Sequence, residues 1–401
     1  MAKGDAPSVP GSLLTTSAEV AEFCESLRGA AYVTVDTEFM RESTYWPIVC
    51  LVQIAGPDSA AAIDTMAPGM DLAPVLAIFS DPNVLKVFHA GRQDIEIFHH
   101  ISGRVPAPVF DTQIAAMVCG FGDSVGYETL VAKFAGVSVD KSSRFTDWAA
   151  RPLRPQQIAY ALADVVHLRV VYEKLERRLA KSGRVDWLQE ELATLTGTET
   201  YEADPRKAYL RIRTRAMSPR VLAILREVAA WREEEVQRRD LPRNRLLRDE
   251  ALLEIAHHAP RDVEELARTR GLGRRLAEGD SGQQILAAVA RGLALPDAEC
   301  PQPPQKRELP KERGPVTDLL KVLLKLKCTE FDVAQKLVAS AEDVEVIAAV
   351  GEKADVPALH GWRRQVFGED ALRLLDGQIA LVARKGQLVA LPYPERPSGD
   401  R

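Results

Sequence analysis

The sequence predicts an α/β domain followed by two all-α units. Three observations carry that prediction. Up to about residue 195, strand-length apolar runs are joined by helical patterns. From about residue 206 onward the periodicity is almost entirely helical. Between 295 and 315, six prolines stand among polar and charged residues and read as a linker.

The elements follow in order. Thr16-Ser-Ala-Glu19 has the spacing of a capping box, in which a hydroxyl and a carboxylate satisfy free N–H groups, and opens a helix that stops at Gly29. Tyr32–Val35, Ile48–Ile54, Ala60–Ile63 and Val84–Phe88 are strand-length runs. Gly56-Pro57-Asp58 and Asp81-Pro82-Asn83 supply turns between them. Helical patterns follow near 93–100, 112–119, 127–134 and 155–179, completing a first domain over 1–200. Val221–Arg239, a helix over Ala251–His257 capped by Asp249, Pro260–Ala267 and Ile285–Ala290 form a helical unit at 207–294. After the linker at 295–314, helices are expected to resume to about 390, giving a unit at 315–390 and a loose tail at 391–401. Asp262-Val-Glu-Glu-Leu-Ala267 echoes Asp343-Val-Glu-Val-Ile-Ala348. Gln284 to Arg291 echoes Gln378 to Arg384 in the same order, suggesting two copies of one small helical module.

The chain of 401 residues suits two to four domains at ~100–200 residues each. A hydrophobic content of 46% excludes a wholly disordered chain. No apolar run approaches the ~18–20 residues that span a bilayer, and Met1 to Ser12 has no apolar core of a secretory signal. The five cysteines form no CxxC pair, which argues against a disulfide framework or thiolate zinc site and favours a reducing, cytoplasmic setting. A net charge of −5 excludes a generic polycation. Local charge is what phosphates meet, however, and 206–248 holds thirteen Lys/Arg against five Asp/Glu.

Chemistry concentrates in three places. In Ala31-Tyr-Val-Thr-Val-Asp-Thr-Glu-Phe39, strand alternation puts Asp36 and Glu38 on one face. Close carboxylates repel, and a divalent cation relieves the repulsion; solvated acids at a strand end are the alternative. In Val87-Phe-His-Ala-Gly-Arg-Gln-Asp94, a strand ends at a glycine turn and Asp94 falls in the first turn of a helix. That position is favourable for local reasons alone, and His89 could face a site, although a histidine at a strand end is more often structural. In Gln157 to Leu168, Tyr160 and Asp164 lie one turn apart on a helix. Asp164 sits among apolar residues and needs a partner, either within a site or in a cation such as Arg169.

Taken together, Asp-x-Glu on a first strand, Asp after a strand–glycine turn and Tyr-x-x-x-Asp on a late helix resemble the tyrosine branch of the DEDD exonuclease superfamily. The flanking Tyr45-Trp-Pro47, Leu51-Val-Gln-Ile54, Phe88-His-Ala-Gly91, Phe110-Asp-Thr-Gln113, Asp147-Trp148 and Arg151-Pro-Leu153 look like the ribonuclease D family across about 30–170. Residues 207–293 resemble an HRDC domain, and 315–390 a more divergent copy.

The resemblance implies an RNase H-like mixed sheet flanked by helices, followed by two HRDC-type units. It implies a 3′–5′ exoribonuclease that hydrolyses terminal phosphodiesters to 5′-monophosphates with two divalent ions, Mg2+ or Mn2+. Asp36, Glu38 and Asp164 would hold the first ion, Asp36 would bridge to the second, and Asp94 would support the second through water. Tyr160 would position the attacking water. Glu38 and the backbone at Thr37 would reach the terminal sugar, and His89 is a candidate RNA contact. The expected partner is RNA with a free 3′ end, transfer-RNA precursors in particular, bound by a monomer. Arg206, Lys207, Arg211, Arg213 and Arg215, with Arg243, Arg245 and Arg248, are the candidate phosphate contacts of the helical region. A DNA-directed exonuclease of the same superfamily and a non-catalytic RNA-binding scaffold are the alternatives. The chain has no Gly-Lys pair and so no Walker A motor, and Gly271-Leu-Gly273 does not extend to a dinucleotide fingerprint.

Overall fold

The computed structural model describes residues 11–213, 217–303 and 313–393. Arg215 and the tail beyond 393 lie outside the described residues.

The first domain runs β1 (Gly11–Leu14), α1 (Ser17–Ser26), β2 (Tyr32–Met40), β3 (Ile48–Ala55), β4 (Ala60–Asp64), α2 (Ala73–Ser80), β5 (Leu85–Phe88), α3 (Arg92–Ser102), β6 (Val109–Asp111), α4 (Thr112–Val118), α5 (Tyr127–Ala135), α6 (Pro155–Ser182) and α7 (Val185–Thr196). Its six-stranded sheet has the order β1-β4-β3-β2-β5-β6. The β2–β3 and β3–β4 pairs are antiparallel, while β1–β4, β2–β5 and β5–β6 are parallel. Val33 and Val35 of β2 and Val52 and Ile54 of β3 are fully buried, so these strands form the middle of the sheet. The 28-residue helix α6 packs against β1 through β5, with Ala161, Val165, Leu168, Val171 and Leu175 buried along its length. The capping box at Thr16 forms as expected. Four elements go beyond the sequence reading: the short parallel strands β1 and β6, and the helices α2 and α7.

The second unit is helical: α8 (Pro219–Arg239), α9 (Arg243–Leu246), α10 (Asp249–His258), α11 (Val263–Ala267), α12 (Arg274–Glu278) and α13 (Asp280–Ala294). Val228, Leu252, Ile255, Leu266, Ile285 and Ala288 form its core. Asp249 is an acid in the first turn of α10, and Arg248 takes the cap position instead. The third unit holds α14 (Gly314–Glu330), α15 (Gln335–Val338), α16 (Ala341–Val350), α17 (Gly361–Arg363), a π-helical turn over Arg364–Gly368 and α18 (Glu369–Leu375) around a core of its own.

The helix expected near the end of that unit does not form. Ile379–Arg384 and Gln387–Pro392 are the antiparallel strands β7 and β8. Lys385 and Gly386, at φ 50° and 78°, make the two-residue turn. Positive φ at both central positions matches the right-handed twist of a hairpin, and α18, which ends at Leu375 ahead of the left-handed Gly377, leaves the apolar run free to pair. The echo between 284–291 and 378–384 is therefore one of composition: the first lies in α13 and the second in β7. Residues 391 and 392, placed in the tail by the sequence reading, belong to β8.

Both helical units dock on the first domain. Trp187 of α7 stacks on Trp362 at 4.4 Å, Arg363 pairs with Glu190 and Glu191, and the Ala334 N–H donates to the Met117 carbonyl at 2.9 Å. On the other side, Tyr45 donates to Glu233 of α8 at 2.6 Å. The Tyr45 and Trp46 N–H groups both donate to Asp240 at 3.0 Å. The Tyr45-Trp-Pro47 motif is thus a docking element.

Candidate active site

Strand β2 carries Asp36 and Glu38 two residues apart, and α6 brings Asp164 across the sheet to meet them. One carboxylate oxygen from each of the three lies within 4.8 Å of the others. Strand alternation accounts for the first pair, and the position of α6 accounts for the third.

That position is fixed by residues just before the helix. Arg151 donates from Nε and Nη2 to the buried Asp64 at the end of β4, at 2.7 and 2.6 Å, and from Nη2 to the Cys50 carbonyl at 2.9 Å. Trp148 is 3% exposed and its ring lies 6.1 Å from that of Tyr160. The Asp147-Trp148 and Arg151-Pro-Leu153 motifs therefore act by seating the first turns of α6. One turn before Asp164 on the same helix, Tyr160 lines the cavity beside it. Arg169 is not the partner of Asp164: its guanidinium lies 4.4 Å from the centre of the Tyr32 ring.

Asp94 reaches the site from the other edge of β2. Ala90 takes φ 55° and Gly91 begins α3; a Cβ on Gly91 would stand 2.4 Å from Phe88 Cβ, so only glycine fits. Asp111 at the end of β6 accepts from the Gly91 N–H at 2.8 Å and the Ala90 N–H at 3.2 Å, and it also caps α4. Asp94 is buried and accepts from the Thr37 hydroxyl. It stands outside the three-carboxylate group. The Thr37 side chain is thus taken up within the protein. His89 Nδ1 lies 2.9 Å from Thr112 Oγ1.

Asp36 and Asp164 border a cavity of about 330 Å³, lined also by His89, Tyr127, Lys141, Arg144 and Tyr160, among others. Its electrostatics are adverse. Burial and the neighbouring Asp94, Asp164 and Glu38 push the Asp36 carboxyl well above the carboxylate range. Burial, with help from Asp164 and Asp94, pushes Glu38 up to about 8. Burial raises Asp164 to about 7 and Asp94 to about 6. The Tyr160 phenol is raised as well, by burial and by the carboxylates, so it stays protonated. Burial lowers His89, which keeps it neutral.

The donor set fits a divalent cation. Hard carboxylate oxygens converge and repel one another, and Asp164 Oδ1 is buried with no hydrogen-bond partner among the described residues. A cation would satisfy that atom and relieve the repulsion together.

The sequence reading missed Tyr127, Lys141 and Arg144. Tyr127 donates to the Asp164 carbonyl from α5. Lys141 and Arg144 come from the loop before α6, whose path carries no periodicity to read. The candidate phosphate contacts in the helical region divide. Arg206, Lys207, Arg213, Arg245 and Arg248 are exposed. Arg243 instead forks onto Glu233, with Nε at 2.7 Å, and Arg211 lies 3.5 Å from the same carboxylate.

Comparison with known proteins agrees with this geometry. A family model described as a 3′–5′ exonuclease matches residues 12–180, and the HRDC domain model matches 221–289. A ribonuclease D of Granulibacter bethesdensis is 54% identical over 92% of this chain and 94% of its own length. The chain belongs to the ribonuclease D family. A second member, from Acidiphilium cryptum, is 49% identical over 97% of this chain and 99% of its own. The crystal structure of Escherichia coli RNase D, described as an exoribonuclease involved in structured RNA processing, superposes with a TM-score of 0.77 at 31% identity. It covers 91% of this chain and 98% of that one. The mixed sheet flanked by helices and the helical domain behind it are those of ribonuclease D.

Proposed function

We infer that this chain, a 3′–5′ exoribonuclease by family, hydrolyses the terminal phosphodiester of RNA at the cavity lined by Asp36, Tyr160 and Asp164, where Glu38 converges on the same two acids. The convergence of those three carboxylates beside the Tyr160 phenol carries the reading. Asp36, Glu38 and Asp164 would hold one divalent cation, and Asp36 with Asp94 a second, Mg2+ or Mn2+ by the hardness of the donors. Such ions supply charge neutralisation for an in-line displacement at phosphorus. Tyr160, protonated across the neutral range, orients water rather than taking its proton. Glu38 and the backbone at Thr37 face the terminal sugar, where a 2′-hydroxyl distinguishes RNA from DNA. His89, neutral and fixed by Thr112, offers a hydrogen bond at the cavity wall.

The substrates we propose are structured RNAs with a short unpaired 3′ extension, transfer-RNA precursors among them. Exposed Arg206, Lys207, Arg213, Arg245 and Arg248 would meet the phosphates of the RNA body. Arg211 and Arg243 would serve the domain seam instead. The third unit is proposed as a divergent relative of the HRDC domain, the chain as a monomer and the compartment as the cytoplasm. No helix among the described residues is long and apolar enough to cross a membrane.

The test is a stem-loop RNA bearing a 3′ extension and a 5′ label, incubated with Mg2+ or Mn2+ beside its DNA counterpart. Stepwise shortening of the RNA with release of nucleoside 5′-monophosphates is the expected result. Faster loss from DNA would overturn the substrate assignment, and internal cuts would overturn the reaction.

A further inference from the structure

The loop between α5 and α6 displays a side chain that folding leaves in water. Phe145 is 90% exposed, the most exposed of the large apolar side chains among the described residues; Leu210 follows at 67%. Isolated exposed apolar residues are ordinary. This one is held in place from both sides. Ser143 is buried, and its carbonyl accepts from the Thr146 hydroxyl at 2.8 Å and the Thr146 N–H at 3.2 Å. The Arg144 N–H donates to the Lys141 carbonyl at 3.1 Å. Buried Gln157 at the start of α6 donates to Thr146 Oγ1 at 3.0 Å. The exposure of the ring is therefore set by an ordered turn.

Its neighbour links it to the cavity. The Arg144 guanidinium lies 5.2 Å from the centre of the Phe145 ring, and Arg144 lines the cavity with Asp36, Tyr160 and Asp164. Among the described residues that guanidinium makes no ion pair or hydrogen bond. A cation beside carboxylates and an aromatic face beside the cation match two parts of a nucleotide, its phosphate and its base. The cavity, at about 330 Å³, is at the small end of ligand sites and suits one terminal nucleotide. The next base must then lie at its mouth.

We propose that Phe145 stacks on the base of the unpaired nucleotide immediately 5′ to the scissile phosphate, while Arg144 contacts that phosphate. This rests on the active-site reading above. Stacking uses the face that every base has, so the shelf is indifferent to sequence. It requires that base to be splayed out of a helix, so trimming needs two unpaired nucleotides rather than one.

The experiment uses the full chain and a stem-loop RNA with a three-nucleotide extension, in Mg2+, with an abasic residue placed at each extension position in turn. Phe145→Ala should raise KM about tenfold with kcat held within about twofold, and Phe145→Trp should behave as wild type. An abasic penultimate residue should lower wild-type kcat/KM by the same tenfold and Phe145→Ala no further. Wild-type KM for Phe145→Ala overturns the proposal, and so does an additive loss when the variant meets the abasic substrate. A wild-type enzyme that cleaves none of these RNAs overturns the active-site reading instead. Thermal melting of Phe145→Ala should match wild type, since the ring packs on nothing that holds the fold; a lowered melting temperature would assign Phe145 a structural role and overturn the shelf.

Discussion

Among the places that bury carboxylates, two have opposite electrical outcomes. At the seam between β2–β3 and α8, Glu233 has 1% of its side chain exposed and is surrounded by donors: Arg243, Arg211 and the Tyr45 hydroxyl. Its carboxyl is held below the usual range, with the donors prevailing over burial. At the cavity, Asp36, Glu38 and Asp164 meet mainly one another, and all are held above it. The seam carries its counter-charge within the chain. In the cavity, Arg144 lowers Glu38 and Asp164 without offsetting burial, and the remaining counter-charge is left to be supplied from outside, as a site built for hard cations must. Burial alone therefore does not mark a functional acid; what matters is whether the fold also provides its partner.

The largest test of that contrast is Asp36→Asn. It should lower turnover by about a thousandfold, because several kcal/mol of stabilisation at the phosphate go with it. It should leave the melting temperature without added metal unchanged or raised, because one repelling charge is gone. Parallel assays of product release and thermal unfolding check both. A destabilised variant would show that Asp36 is structural, like Glu233.

Arg243→Ala reverses the logic. It strands the buried Glu233 carboxylate, at a loss of about 3 kcal/mol, the low end for broken buried pairs because Arg211 remains 3.5 Å away. Urea denaturation measures it, and turnover on a short single strand should hold near wild type. Tyr160→Phe is smaller again. Losing one orienting hydroxyl should lower kcat roughly tenfold with little change in KM. An unchanged kcat would remove Tyr160 from the chemistry.

The cavity was more legible in the sequence than the seam, for a physical reason. Asp36 and Glu38 follow from a period of two, Tyr160 and Asp164 from a spacing of four, and Asp94 from a glycine turn opening a helix. Each is a local rule acting within one element. Arg243 sits in a run of basic residues that reads as a phosphate-binding face, and only tertiary packing turns it onto Glu233. Arg144 and Phe145 lie in a loop, where no period says which way a side chain points. The run Ile379–Arg384 suits helix or strand equally; the Lys385-Gly386 turn decided for the hairpin. The strands β1 and β6, of four and three residues, are too short to carry a period and exist because a parallel neighbour completes them.

The smallest effect is also the one in which the two places differ in sign. Cavity acids whose carboxyls are raised on folding favour the folded chain when protonated. Without divalent cations, that stabilisation is complete below the unfolded values of 3.8 and 4.5. It is lost as pH rises through about 6 for Asp94, about 7 for Asp164 and about 8 for Glu38. Glu233, lowered on folding, contributes stability that is present above 4.5 and lost as pH falls through its folded value. Between pH 5.5 and 8.5 the seam is therefore constant and the cavity changes. The rise in melting temperature on adding Mg2+ should grow across that window, because the cation binds the deprotonated carboxylates and displaces protons at the lower end. Asp164→Asn should flatten the trend and Arg243→Ala should leave it intact. A rise equal at both ends of the window would mean that the cation binds away from these acids.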